Sequence, residues 1–182
     1  MEESQRISGI EEDKAPLWIK PLFAGSKKVV GKVTGMLKVQ ARRPGIAWFG
    51  NLTGLAIEKS GKVEKRIHVF AQFRAAQMVE CAACIDIIPA LGKKGNFVTE
   101  EELRDVVNWE HSKILSERER VAIEYAESVS KTPVKVSDDL FARLKKHFSD
   151  DQIVELTAGI AFENYRARFN RALYIPSDKL ND

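Results

Sequence analysis

A chain of 182 residues, 44% hydrophobic and 30% charged, can bury a sizeable core as one domain, and its 11 glycines and 6 prolines suit a helical globule. Its net charge of +3 is too small to argue for nucleic acid. No apolar run reaches membrane-spanning length, and the polar, acidic start from Met1 to Glu12 is no signal peptide, so the expected compartment is the cytoplasm.

Residues 1–14 read as a flexible tail, 15–176 as the domain and 177–182 as a second tail. Pro16 and Pro21 bracket the apolar anchor Leu17-Trp18-Ile19, predicting a helix from about Pro16 or Leu17 to Val30. Gly31 to Gly35 breaks it, and a turn of helix over Met36 to Gln40 is closed by Pro44. From Lys14 to Ile57 there is no acidic residue, while Lys14, Lys20, Lys27, Lys28, Lys32, Lys38, Arg42 and Arg43 are basic. Such a stretch suits a solvated helix surface, a contact between copies or an anionic partner.

Ile46 to Ile57 carries a helical apolar stripe through Trp48, Phe49, Leu52 and Leu55, and Ser60-Gly61 ends it. Val63 to Val79 is the most apolar long segment, expected in the core. It leads into Cys81 and Cys84, on a helix that Pro89 shortens or kinks. Thr99-Glu100-Glu101-Glu102, Ser116-Glu117-Arg118-Glu119 and Ser149-Asp150-Asp151-Gln152 have the form of capping boxes. With Ser137-Asp138-Asp139 they predict helices at about 100–109, 117–130, 138–147 and 150–173. No segment alternates long enough for a sheet, so the expected fold is all-α.

Cys81 and Cys84 are the only cysteines, spaced so that a helix puts both on one face. A reducing compartment makes such a pair redox-active or metal-binding before it makes it a structural staple. A helix N-terminus lowers a thiol pKa, and in such a pair one cysteine attacks while the other resolves the sulfenic acid or mixed disulfide. A structural zinc needs four ligands, and His68, His111 and His147 are scattered. Two inert, buried thiols are the remaining alternative.

The run Cys81-Ala82-Ala83-Cys84-Ile85-Asp86 resembles the alkylhydroperoxidase D-like, carboxymuconolactone decarboxylase superfamily. The resemblance continues in Trp109, in Leu115-Ser116-Glu117-Arg118-Glu119-Arg120-Val121-Ala122, and in Phe148 to Thr157. Asn164, Arg168, Phe169 and Asn170 also fit, as does Met36 to Pro44 of the family's long form, so that it spans roughly Ala15 to Pro176. It implies a helical fold assembled into trimers or hexamers. It also implies hydroperoxide reduction in which Cys84 attacks and Cys81 resolves, with a lipoyl-protein or thioredoxin-like dithiol as reductant. No cofactor or metal is implied.

The chain departs from the family peroxidases at their proton-handling positions. Their glutamate twelve residues before the first cysteine is Val69 here, and their histidine four residues after the second is Ile88. A histidine that some members carry between the cysteines is Ala83. Thiols in apolar surroundings resist ionisation, and an ionised Glu80 would add to that at Cys81. Glu80, Asp86 and His68 are the candidate substitutes, and Tyr165, Arg166 and Arg168 could shape a cavity or an oligomer contact. The expected function is a thiol-dependent peroxidase or disulfide oxidoreductase. The alternatives are a lyase that does not use the thiols and a non-catalytic oligomeric binding protein docking through its basic N-terminal third.

Overall fold

The structure, a computed structural model, describes residues 4–181. Among the described residues it is all-α, with no strand. The helices are α1 (Lys20–Val30), α2 (Gly35–Gln40), α3 (Pro44–Ser60), α4 (Lys65–Met78), α5 (Ala82–Lys94), α6 (Glu100–Val107), α7 (Glu117–Ser130), α8 (Asp138–His147) and α9 (Asp150–Ala172). α1 starts later than Pro16 because Pro21, which lacks an N–H, occupies its first turn, where no intrahelical donor is needed. Gly61 ends α3 at φ 69°, a left-handed conformation that costs glycine nothing.

All three capping boxes form. Thr99, Ser116 and Ser149 accept from the amides of Glu102, Glu119 and Gln152, whose side chains reach back to the capping backbone. Each such cap stabilises its helix by about 1 kcal/mol. Glu119 does more than cap: its carboxylate also accepts from Arg66 of α4, and Arg66 Nη1 donates to Glu102 at 2.7 Å. One arginine thereby ties α4 to the starts of α6 and α7.

α4 is the hub of the core, packed against α5, α6, α7 and α9. One side, through Ile67, Ala71 and Ala75, meets Val121, Ala122, Leu144, Leu156 and Ile160 of α7, α8 and α9. The other side, through Phe70, Phe73 and Ala76, builds a second cluster with both cysteines, Leu103, Val106, Ile123 and Ala167. Gly159 lets α9 approach α4 closely, since a Cβ there would stand 3.0 Å from His68 Nδ1. A third cluster gathers Ile19, Phe23, Val33, Leu37 and Ala47 at the N-terminal end.

α3 is the exception. Of its 17 residues only Ala47 is buried, and Phe49, 73% exposed, heads an open apolar face with Ile46, Leu52 and Leu55. α5 runs for 13 residues with Pro89 inside it.

Residues 1–3 and 182 of the expected tails lie outside the described residues. The Arg6 amide donates to the Leu173 carbonyl at 3.0 Å, and the Ile10 amide to that of Lys38 at 2.9 Å. At the other end the Asp86 carboxylate accepts from Ser177 Oγ at 2.7 Å and from the Leu180 amide at 2.9 Å. No helix among the described residues is long and apolar enough to cross a membrane.

Candidate active site

The polypeptide enters α5 through Glu80, whose φ of 55° turns the backbone sharply after α4. Cys81 follows as the N-cap, and its sulfur accepts from the Cys84 amide at 3.3 Å, the place that serine or threonine oxygen fills at other helix starts. One turn on, Cys84 brings its sulfur to 2.7 Å from that of Cys81. Both cysteines are buried and are not joined to each other by a disulfide.

Asn170 of α9 reaches across to the pair, its Nδ2 standing 3.7 Å from Cys81 Sγ and 3.5 Å from Cys84 Sγ. Two turns earlier on the same helix, Glu163 is fully buried. Its Oε2 accepts from Arg166 Nε at 2.9 Å, whereas no protein group donates to Oε1 at hydrogen-bonding distance. The carboxylate lies on the Cys84 side of the pair, and its negative charge acts on that thiol. Asn170 Oδ1 is likewise buried without a donor.

These surroundings split the two thiols. Cys81 is drawn down from near 9 to about 7, chiefly by the hydrogen bond from Cys84, with burial opposing and the Cys84 amide and Asn170 assisting. Cys84 is pushed up, first because its proton is shared with the Cys81 sulfur, then by burial and the negative charge of Glu163. The apolar cluster thus acts differently on the two thiols, since Cys81 Sγ also accepts from the Cys84 amide.

Val69 and Ile88 do flank this cluster and contribute only apolar surface. None of the three substitutes expected from the sequence joins the pair. The Glu80 side chain is 79% exposed and turned toward Arg171. Asp86 is used by the C-terminal segment, and His68 donates to or accepts from Glu155 at 2.8 Å elsewhere on α4. Arg168 binds the Ser130 carbonyl at 3.0 Å, and Tyr165 stacks on Phe162 with centroids 5.8 Å apart. The group that sequence reasoning missed is Glu163. Its signal was the spacing of Glu163, Arg166 and Asn170, which places three polar residues on one stripe of a helix otherwise packed in the core.

A cleft of about 140 Å³ opens beside the pair, lined by Cys81, Asn170, Tyr174 and Pro176 among others, and not by Cys84. Among the described residues no group of three or more His, Cys, Asp or Glu side chains is arranged to hold a metal.

No family profile matches the chain. It is 33% identical over 168 residues to the uncharacterized protein YnjA of Escherichia coli K12, covering 92% of each chain. It is 28% identical over 99 residues to the uncharacterized protein YdfG of Bacillus subtilis 168, covering 54% of this chain and 67% of the other. Among solved structures it superposes on a cysteine-to-alanine variant of the debrominase Bmp8 in complex with 2,3,4-tribromopyrrole. That match has a TM-score of 0.86 at 16% identity, over 97% of this chain and 94% of the other. It also superposes on an alkylhydroperoxidase AhpD core, an uncharacterized peroxidase-related protein from Ralstonia eutropha JMP134. There the TM-score is 0.81 at 19% identity, over 99% of this chain and 96% of the other. A further peroxidase-related protein, from Silicibacter sp. TM1040, gives 0.79 at 17% identity, over 96% and 92%. At such identities these structures speak for the fold.

Proposed function

We propose that this chain is a member of the alkylhydroperoxidase D-like, carboxymuconolactone decarboxylase superfamily, whose fold it shares, and a thiol-dependent oxidoreductase that reduces small hydroperoxides with Cys81 and Cys84. The observation that carries this reading is the 2.7 Å approach of the two sulfurs at the start of α5, beside a cleft that Cys81 lines. A disulfide needs about 2.05 Å between sulfurs, so the pair can close with little movement of the backbone. The substrate would be small, as the cleft is, and a dithiol, lipoyl or thioredoxin-like, would return the pair to its reduced state. Such a protein works in the reducing cytoplasm. The bare face of α3 would be covered by further copies of the chain, giving the expected homo-oligomer.

The test is intact-protein mass after the reduced protein meets a slight excess of tert-butyl hydroperoxide and is then alkylated. Loss of two hydrogens, mapped to a Cys81–Cys84 disulfide, and regeneration by dihydrolipoamide support the reading. Two freely alkylated thiols after prolonged exposure reject it. The same assay with 2,3,4-tribromopyrrole asks whether the two-electron reduction extends to a carbon–bromine bond.

A further inference from the structure

We propose that Cys81 is the reactive thiolate of the pair, the reverse of the order that the family resemblance implies, and that Glu163 holds the proton on Cys84 and hands it on during resolution. The inference deepens the thiol-oxidoreductase reading and, for its peroxide step, rests on it.

Two sulfurs 2.7 Å apart cannot both carry a negative charge, so one proton stays between them and the neighbours decide where it sits. Cys81 Sγ accepts from the Cys84 amide at 3.3 Å, the two sulfurs share a proton across 2.7 Å, and Asn170 Nδ2 lies within reach of both, 3.7 Å from Cys81 Sγ and 3.5 Å from Cys84 Sγ. Cys84 faces the Glu163 carboxylate, whose charge opposes a negative charge on its sulfur. The other charged group facing the pair is Arg166, which is bound to that carboxylate. α4, α6 and α7 pack Phe70, Phe73, Leu103 and Ile123 into the same cluster as the pair.

The second indication is the pair of buried orphan acceptors. Glu163 Oε1 and Asn170 Oδ1 both lack protein donors, which leaves two acceptors beside the sulfurs for a proton or a hydroxyl in transit. Glu163 is buried deep beside Cys84, while Asn170 lines the cleft with Cys81. The cleft thus lies on the Cys81 side of the buried pair and the Glu163 carboxylate on the Cys84 side.

The steps balance as follows. The Cys81 thiolate attacks the distal oxygen of the hydroperoxide. An S–O bond forms, the O–O bond breaks, two electrons pass from sulfur to oxygen, and the alkoxide leaves as alcohol with a proton from water. The Cys84 thiol then gives its proton to Glu163 as its sulfur attacks Cys81. The S–S bond forms, the S–O bond breaks, and the departing hydroxide takes the proton from Glu163 and leaves as water. Asn170 Oδ1 is placed to accept from the O–H of the entering hydroperoxide.

Iodoacetamide labelling of the reduced wild-type protein at neutral pH tests the assignment without requiring any variant to fold. Cys81 should label roughly tenfold faster than Cys84, the equivalent of one unit of thiol pKa. Glu163→Gln should raise the Cys84 rate roughly tenfold and change that of Cys81 by less than about twofold. With tert-butyl hydroperoxide and dimedone, Cys84→Ser should trap a sulfenic acid on Cys81, and Cys81→Ser should trap none on Cys84. Faster labelling of Cys84, an adduct on Cys84 in Cys81→Ser, or an unchanged Cys84 rate in Glu163→Gln overturns the inference. If disulfide still forms with Cys84 labelled first, the inference falls and the proposed function stands. If Cys81 labels first and no disulfide forms, the function falls and the assignment of the reactive thiol stands.

Discussion

Glu155 and Glu163 sit eight residues apart on α9, both buried, and the protein treats them in opposite ways. Glu155 is saturated: it accepts from the Lys62 amide at 2.9 Å, the Val63 amide at 3.1 Å and pairs with His68 Nε2 at 2.8 Å. Burial alone would raise its pKa, but these donors together with Ser60 outweigh it and hold the carboxylate at about 2. Glu163 receives only Arg166 and keeps one oxygen bare beside a thiol. A buried charge whose acceptors are all filled fixes structure, here the entry into α4. A buried charge left half filled, next to a group that can titrate, is placed for proton traffic.

The sharpest way to break this contrast is Glu155→Ala. It orphans two amides and a histidine in the core, and should lower the unfolding free energy by about 3 kcal/mol in urea titration. A loss below roughly 1 kcal/mol would show that Glu155 is not the clasp it looks like. The same carboxylate sets an acid limb. Its folded pKa of about 2 lies below the ordinary 4.5, so its contribution is complete above about 4.5 and is lost as pH falls toward 2. Wild-type stability should fall by roughly 3 kcal/mol across that window from this group, and Glu155→Gln should flatten the limb.

Glu163→Gln should cost less, about 1–2 kcal/mol, because Gln keeps an acceptor for Arg166, whose side chain is partly exposed. Its larger effect should be on chemistry, slowing disulfide closure after hydroperoxide addition roughly tenfold in stopped-flow measurements. Equal losses of stability at the two sites, with closure unaffected at Glu163, would erase the distinction. Smallest for folding is Phe49→Asp on the open face of α3. It should shift stability by less than about 0.5 kcal/mol yet reduce the molecular mass seen in sedimentation.

The parts legible in the sequence are those fixed by neighbours along it. Thr99, Ser116 and Ser149 announce their helices because a cap and its partner are three residues apart. Cys81 and Cys84 announce a site for the same reason. Glu163 does not, since its partnership with Cys84 exists only once α9 lies on α5, and a glutamate in a long helix reads as surface. The bare face of α3 was illegible in the other direction. Its apolar stripe has the same period as a core helix, and only the packing shows that it stays exposed among the described residues.

Pro89 lies inside α5 and has no N–H to offer the carbonyl one turn before it, so the hydrogen-bond ladder loses a rung just beyond Cys84. The helix runs on unbroken to Lys94, one hydrogen bond short at the Ile85 carbonyl. On the proposed chemistry, that missing bond is where the first turn of α5 would bend most easily as the sulfurs draw together.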